Sequence, residues 1–215
     1  MLFMALMRLR TALPLRLMAH LFAVAHVTLW RYCIRVVALL SGRFESPSGA
    51  TELIVDTTST RVRCADRVWH SGHKRQRVAK VQVLCDADGV VHSVSQAYPG
   101  SVHDKTIRNG EFAALPTDAV LADKAYAGGA GEGQVSFRPV RRNEREWKVD
   151  HDTAKTFNAA LSSRRVRIEH LFAQLKTWRI IHHYYPMRPQ TYATTFRAIA
   201  YIHNLNRLEK TEELM

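Results

Sequence analysis

In its middle third the chain reads Val78-Ala-Lys-Val-Gln-Val-Leu-Cys85, then Asp86-Ala-Asp-Gly89, then Val90-Val-His-Ser-Val-Ser-Gln-Ala-Tyr98. The first and third segments are rich in β-branched residues, and the segment between them has the Asp-Gly chemistry of a tight turn. Pro99-Gly100 then interrupts the extended pattern. The stretch therefore predicts a β-hairpin.

Three further segments outside this hairpin have the composition of strands. Glu52-Leu-Ile-Val-Asp56 and Ala119-Val-Leu-Ala-Asp123 are short apolar runs that each end in an acid. Val135-Ser-Phe-Arg-Pro-Val140 is the fifth candidate strand of the chain. Together with the hairpin, these segments predict a sheet of at least five strands.

The predicted helices follow the hairpin. Ser101 is a plausible N-cap for a helix through Leu115, and a helical period begins at Ser162. A last helix is predicted from about Pro189 to Leu208. Strands followed by helices in this order predict an α/β fold in which helices flank a mixed sheet. The RNase H-like fold has this order of elements.

The composition indicates a basic globular protein. Of 215 residues, 47% are hydrophobic, and 31 Lys and Arg against 19 Asp and Glu give a formal charge of +12. This charge favours a polyanionic partner, with nucleic acid as the first candidate. The three cysteines, Cys33, Cys64 and Cys85, are too far apart for a zinc site of paired cysteines and are expected to be buried apolar residues.

The first 44 residues differ from the rest of the chain. They hold six Arg and no acid, and the Ser-, Gly- and Pro-containing stretch 41–49 is a plausible linker behind them. We therefore expect residues 1–44 to form a small helical segment and residues 45–215 to form the main domain.

Three interpretations of the N-terminal segment compete. The first is a membrane span, but arginines interrupt every candidate apolar run, so no membrane partner is expected. The second is an organellar transit peptide, but such peptides are usually rich in Ser, and this segment has no Ser before Ser41. The third is a helix-turn-helix, with Pro14 opening one helix, a turn near residues 23–26, and Thr28 capping a second helix. A plain helical hairpin is the bland alternative to it.

Three carboxylates stand out among the acids. Asp56 and Asp123 each end a strand-like run, where α/β proteins place ligands. Glu169 borders the apolar stripe of a helix and is expected to face partly inward, with Arg165 and Lys176 on the same side as possible ion-pair partners. Singly, each has a structural explanation. Together, three acids could hold the two divalent ions that phosphodiester chemistry requires.

Five short motifs follow one another along the chain. They are Ile54-Val-Asp-Thr-Thr58, Ser71-Gly-His-Lys74, Pro99-Gly-Ser-Val-His-Asp104, Leu121-Ala-Asp-Lys-Ala-Tyr126 and Arg167-Ile-Glu-His-Leu-Phe-Ala-Gln-Leu-Lys176. This series resembles the ordered motifs of DDE-superfamily transposases, over roughly residues 50–205, and the most similar type is the insertion-sequence-five and Harbinger-like group.

The resemblance implies an RNase H-like catalytic domain with Asp56, Asp123 and Glu169 as catalytic residues and ligands of two Mg²⁺ ions, for which Mn²⁺ can substitute. Asp104 matches a further motif position and is an accessory candidate. Water would cleave the transposon end, and the freed 3′ hydroxyl would attack the target DNA. A catalytically idle, DNA-binding remnant of a transposase is the alternative.

The expected partner is double-stranded DNA, as terminal inverted repeats and as target, bound by a homodimer. The candidate DNA contacts are Lys74, His103, Arg164, Arg165, Arg167, Lys176 and Arg179, with Arg31 and Arg35 in the N-terminal segment. The expected location is the cytoplasm, on the nucleoid, in a prokaryote and the nucleus in a eukaryote.

The resemblance extends to the N-terminal segment, where Ala19-His-Leu-Phe-Ala-Val-Ala25 resembles the core of the family's helix-turn-helix. Ala23 replaces a turn Gly, and Ala25 replaces the Ser that caps the second helix. Ala125 likewise stands where the family often has Gly. These departures predict a clipped or decayed DNA-binding segment.

Overall fold

A computed structural model describes residues 1–47, 50–112, 119–123 and 135–212, with the side chains of 208 and 210–212 excepted. The strands are β1 Glu52–Val62, β2 His70–Ser71, β3 Gln76–Cys85, β4 Val91–Val94, β5 Tyr98–Pro99, β6 Ala119–Leu121, β7 Val135–Phe137 and β8 Tyr184–Tyr185. The helices are α1 Leu2–Thr11, α2 Leu15–Leu21, α3 His26–Gly42, α4 Asp104–Glu111, α5 Arg145–Val149, α6 His151–Leu175 and α7 Tyr192–Glu212.

The strands form one mixed, curled sheet, so the predicted α/β class is confirmed. Its main path is β2-β3-β1-β6-β7, while β4 and β5 pair with β3 and β8 pairs with β1. β3 is antiparallel to β1, whereas β6 and β8 are parallel to β1 and β7 is parallel to β6.

The two sheet faces pack separate apolar clusters. Ile54 and Val83 face the larger cluster, which Ile168 of α6 and Phe196 of α7 complete. Side chains of opposite parity, including Leu53, Val55 and Leu84, face a smaller cluster with Phe112 at the end of α4. This alternation follows from the two-residue period of a strand, and it places α6 over one face and α4 over the other.

The predicted hairpin is confirmed in its first strand and its turn. Gly89 has a φ of 78° in the turn, and the Asp86 carboxylate accepts the backbone N–H groups of Asp88 and Val90. The return strand is shorter than predicted, since β4 ends at Val94 and β5 is a separate two-residue strand. The Ser95 hydroxyl accepts the Gln82 backbone N–H at 2.9 Å at this break.

β1 is longer than predicted and continues six residues beyond Asp56. Thr58 and Thr60 lie on its core-facing side and are buried. The Thr60 hydroxyl donates to the backbone oxygen of Ile181 at 2.5 Å, which satisfies a polar group that would otherwise be costly to bury. Asp56 consequently lies inside the strand and not at its end.

Several helix boundaries differ from the predictions. α4 is capped by His103, whose ring accepts the Lys105 N–H at 3.2 Å, and not by Ser101. It ends at Glu111, and residues 113–115 of the predicted helix lie outside the described residues. α6 begins at His151, eleven residues before the predicted start, and Asp150 caps it. The last helix opens with a 3-10 turn, Pro189–Thr191, before α7.

The N-terminal segment is helical, as predicted. α1, α2 and α3 pack around Ala5, Met18, Leu29 and Cys33. Leu9 and Val37 also join the larger cluster of the sheet, so this segment shares a core with the rest of the chain. Cys85 is buried like Cys33, but Cys64 is only half-buried, contrary to the prediction.

Helices α2 and α3 diverge by 109° across a short turn. Ala25 is the N-cap of α3 and makes no side-chain capping bond, so the predicted cap at Thr28 is wrong. Among the described residues no single helix has the length and apolar composition of a membrane span, although α2 and α3 taken as one bent pair meet both criteria.

Ala23 adopts the left-handed conformation, with a φ of 49°. We expect Ala23→Gly to raise the free energy of unfolding by about 0.5–1 kcal/mol, because glycine removes the Cβ strain at a small entropic cost. Denaturant unfolding measures this change. The control, Ala38→Gly in exposed helical backbone of α3, should lower stability by about 1 kcal/mol. If both variants lowered the free energy of unfolding equally, the backbone at Ala23 would not be strained.

Candidate active site

The sheet register brings Asp56 and Asp123 side by side. β1 and β6 are parallel neighbours, and Ile54 lies opposite Leu121. Asp56 follows Ile54 by two residues, and Asp123 follows Leu121 by two residues. Both aspartates therefore lie on the sheet face that carries Ile54 and Leu121. The same face is covered by α6. The pattern of two apolar runs ending in acids therefore builds one carboxylate pair.

Arg165 of α6 joins the two carboxylates. Its Nη1 lies 3.3 Å from Oδ1 of Asp123, and its Nη2 lies 3.9 Å from Oδ2 of Asp56. The Arg165 side chain is only 15% exposed, and its Nε is buried without a hydrogen-bond partner among the described residues. The predicted phosphate contact thus faces the aspartates and not the outer surface of α6.

The electrostatics of Asp56 favour a cation. Burial raises the pKa of Asp56, and the negative charges of Asp123 and Asp104 raise it further. The Thr57 backbone N–H, which donates to Oδ1 of Asp56 at 2.7 Å, and the Arg165 charge lower the pKa but do not offset burial. A positive charge close to Asp56 therefore stabilises its ionised form.

Asp104, the accessory candidate, lies on the opposite face of the sheet. It is the first residue of α4, and its carboxylate pairs with Lys80 Nζ at 2.6 Å, where Lys80 is 9% exposed. Gln82 Nε2 donates to the Asp104 backbone oxygen at 3.1 Å and to the Thr57 hydroxyl at 3.4 Å. Asp104 therefore affects Asp56 through its negative charge.

Glu169 is exposed, which contradicts the prediction that it faces partly inward. It lies one turn after Arg165 on α6. Neither predicted ion pair forms, since Arg165 turns to the aspartates and Lys176 lies near Lys74. Within the described ranges, no three His, Cys, Asp or Glu side chains are grouped closely enough to hold a metal ion.

The donor set at the aspartate pair nevertheless fits a hard divalent cation. The carboxylates of Asp56 and Asp123 converge on the Arg165 guanidinium. Asp56 is partly buried, and burial raises its pKa, so a positive charge beside it stabilises its ionised form. Carboxylate oxygens are the ligands that Mg²⁺ prefers, together with retained water molecules. The Arg165 guanidinium supplies the positive charge at this point in the structure.

The other DNA-contact candidates lie on several surfaces. Arg31 and Arg35 are exposed on α3, and Arg164, Arg167 and Arg179 are exposed on or just after α6. Arg164 pairs with Glu52 at 2.7 Å. Lys74 is exposed and donates to the Ser59 hydroxyl, while Lys176 is half-buried. His103 is exposed at the start of α4.

Sequence reasoning missed the contributions of Lys80 and Gln82 around the site. Both occur within the β-rich segment Val78–Cys85, on alternate residues. Polar side chains at alternate positions of an otherwise apolar strand indicate a buried polar contact on one face. This signal was present in the sequence. Their partner, Asp104, could be known only from the position of α4.

Comparison with known proteins gives two matches. The model of a family described as DDE superfamily endonuclease matches residues 51–204, from β1 into α7, and includes Asp56, Asp123 and Glu169. A curated protein of Streptomyces albus G, named "Putative transposase for insertion sequence element IS112", is 30% identical over 183 residues. The match covers 80% of this chain and 66% of that protein, so the chain spans just under two thirds of its relative's length. The chain belongs to the DDE superfamily of endonucleases.

Proposed function

We propose that the protein is a DNA transposase that cleaves transposon ends and transfers the cleaved strand to target DNA. The observation that carries this proposal is the pairing of Asp56 and Asp123 on adjacent parallel strands around one positive charge. The family match and the formal charge of +12 support a DNA substrate. The insertion-sequence-five and Harbinger-like subtype remains part of the proposal.

In this proposal Asp56 and Asp123 would hold the divalent ions, and Glu169 of α6 would be the third carboxylate of the site. Bound Mg²⁺ would polarise the scissile phosphate and lower the pKa of an attacking water. Metal ions on these oxygens would take over the counter-charge that Arg165 supplies, so its guanidinium would turn away from the pair. Glu169 lies one turn after Arg165 on α6, on the same side of the helix.

The fold proposals follow from the same elements. We assign the mixed sheet with α6 over Asp56 to the RNase H-like type, and α2 with α3 to a helix-turn-helix. In α3, Arg31 and Arg35 are exposed one turn apart and can contact phosphates. The Ala23 strain and the absent side-chain cap at Ala25 support a weak sequence reader. We further propose that the protein acts as a homodimer on DNA, on the nucleoid in a prokaryote or in the nucleus in a eukaryote.

Nicking of supercoiled plasmid DNA tests the proposed function. The protein is incubated with Mg²⁺, with Mn²⁺, and with EDTA, and nicked and linear products are counted. We expect products with either metal and none with EDTA. DNA binding without cleavage in either metal, by a folded protein, would instead identify the idle remnant of a transposase.

The N-terminal assignment makes a separate prediction. We expect affinity for the element's own terminal repeat to exceed affinity for random duplex only a few-fold at physiological salt, because the turn and cap of the reader are impaired. Competition binding measures the ratio. A preference of about 10³, the low end of specific recognition, would show that the helix-turn-helix is intact.

A further inference from the structure

A group of five cationic and histidine side chains lies beyond the aspartate pair, at the C-terminal end of α6. We call it the cationic cluster, and it consists of Lys74, Lys176, Arg179, His182 and His183. Lys74 comes from the turn between β2 and β3, and the others follow one another from the end of α6 to the start of β8. The two histidines were not among the predicted DNA contacts.

The two histidine rings form a stacked pair. Their centroids are 3.9 Å apart, and their planes differ by 18°. Both side chains are exposed, as are Arg179 and Lys74. Since the rings stack on each other and not on the core, their edges are available to a ligand from solvent. Imidazole edges donate hydrogen bonds to anions when the ring is protonated.

In the described part of the chain, no acid forms an ion pair with this cluster. The nearby groups on the other packed elements are Arg10 of α1, which bonds Thr177 at 2.5 Å, and Arg61 and Tyr184 on the paired strands β1 and β8. None of these is a carboxylate, so the surface attracts an anion.

Mutual repulsion already perturbs the cluster. Burial lowers the pKa of Lys176, and the charge of Lys74 lowers it further. Burial also lowers the pKa of His182, with further contributions from His183, Lys176 and Arg179. These effects disfavour the charged form of the His182 imidazole in the free protein. An anion among these groups would reverse the repulsion and favour the charged imidazole.

The cationic cluster lies further along α6 from the aspartate pair, at a distance that a few nucleotides of DNA span. α6 runs from Arg165, at the aspartate pair, to Lys176, and eleven helical residues span about 16 Å. β1 runs in the same sense from Asp56 toward Ser59, the partner of Lys74. At 3.4 Å per nucleotide along the axis, about five nucleotides separate a scissile phosphate from a phosphate at the cluster.

We propose that the cationic cluster binds a backbone phosphate of the DNA strand that enters the aspartate pair, and that His182 takes up a proton from solvent as this phosphate binds. The proposal rests on the proposed DNA substrate. The proton moves to the imidazole, which then donates to a phosphate oxygen, and no covalent bond to the DNA changes. DNA affinity is thereby coupled to pH.

The sign of the coupling follows from linkage. In this proposal the pKa of His182 is higher in the DNA complex than in the free protein. At pH values between these two pKa values, DNA binding is therefore accompanied by uptake of a proton. Affinity therefore falls as pH rises through the bound-state pKa of His182. A rise of one pKa unit on binding gives up to about a tenfold change in affinity.

Fluorescence anisotropy of random duplex DNA, in EDTA at about pH 6 and about pH 8, tests the proposal. We expect the wild-type affinity to fall several-fold at the higher pH, and His182→Gln combined with His183→Gln to remove most of this change. The matched control is His151→Gln, an exposed histidine at the other end of α6, which should keep the wild-type pH dependence. Equal pH dependence in the wild type and the double variant would overturn the proposal.

Calorimetry of wild-type protein with the same DNA, in buffers of different ionisation enthalpy near neutral pH, needs no variant. Net proton uptake would support the proposal, and its absence would overturn it. Lys176→Ala should lower the salt slope by about one while keeping the proton uptake. Both binding experiments are done without metal, so a failure of cleavage does not change their interpretation. Loss of the pH coupling, in turn, would not change the interpretation of the cleavage assay.

Discussion

Asp123→Asn is expected to lower the rate of Mg²⁺-dependent strand cleavage by about a thousand-fold or more, with Asp56→Asn giving the same result. Each substitution removes one of the two carboxylates that meet at the Arg165 guanidinium and that we propose as metal ligands. Loss of about 4 kcal/mol of transition-state stabilisation corresponds to this factor. DNA affinity should be unchanged or higher, because a negative charge near phosphate has been removed.

The matched control for this prediction is Asp88→Asn. Asp88 is an exposed acid in the β3–β4 turn, away from Asp56, and its replacement makes the same change in formal charge. It should leave cleavage and binding at wild-type levels. Loss of DNA binding in Asp123→Asn, with the fold preserved, would instead show that the aspartates serve the structure and not the reaction.

Arg165→Ala is expected to make the protein dependent on divalent metal for stability. The substitution leaves Asp56 and Asp123 together without their shared counter-charge, and removal of one partner from a buried ion pair costs about 3–5 kcal/mol. Asp123 is 47% exposed, so we expect a smaller loss, of about 1–3 kcal/mol in EDTA. Millimolar Mg²⁺ should restore much of this loss if the aspartate pair is the proposed metal site, because the ion would then supply the missing counter-charge.

Thermal unfolding with and without Mg²⁺ measures this effect. The control is Arg164→Ala, whose side chain is 64% exposed and pairs with Glu52 instead. We expect at most about 1 kcal/mol of destabilisation there, with no particular dependence on metal. Metal stabilisation of Arg165→Ala no greater than that of the wild type would contradict competition between Arg165 and the metal for the aspartates.

The aspartate pair could be predicted because it depends on strand chemistry alone. Apolar runs ending in Asp56 and Asp123 indicate two strands, and the sheet topology then needs only to make them neighbours. The length of β1 could not be predicted in the same way. Thr58 and Thr60 do not stand out in an apolar pattern, and their burial depends on partners such as Ile181, 121 residues away from Thr60.

The orientation of α6 side chains was the least predictable part of the site. A helical wheel placed Glu169, Arg165 and Lys176 on one side, and it cannot say which of them reaches a sheet that lies beside the helix. In the structure the long guanidinium of Arg165 reaches Asp56 and Asp123, while Glu169 remains exposed. The distinction depends on tertiary packing of α6 against β1, which no local pattern contains.

The most direct test of the central claim is titration of the metal-binding site itself. Mn²⁺ binding by the DNA-free protein, followed by electron paramagnetic resonance, should show a site in the wild type and in Asp88→Asn. Asp56→Asn and Asp123→Asn should each weaken that site by at least about tenfold, because each removes a carboxylate ligand. Unchanged Mn²⁺ affinity in both aspartate variants would contradict the assignment of this pair as the metal site.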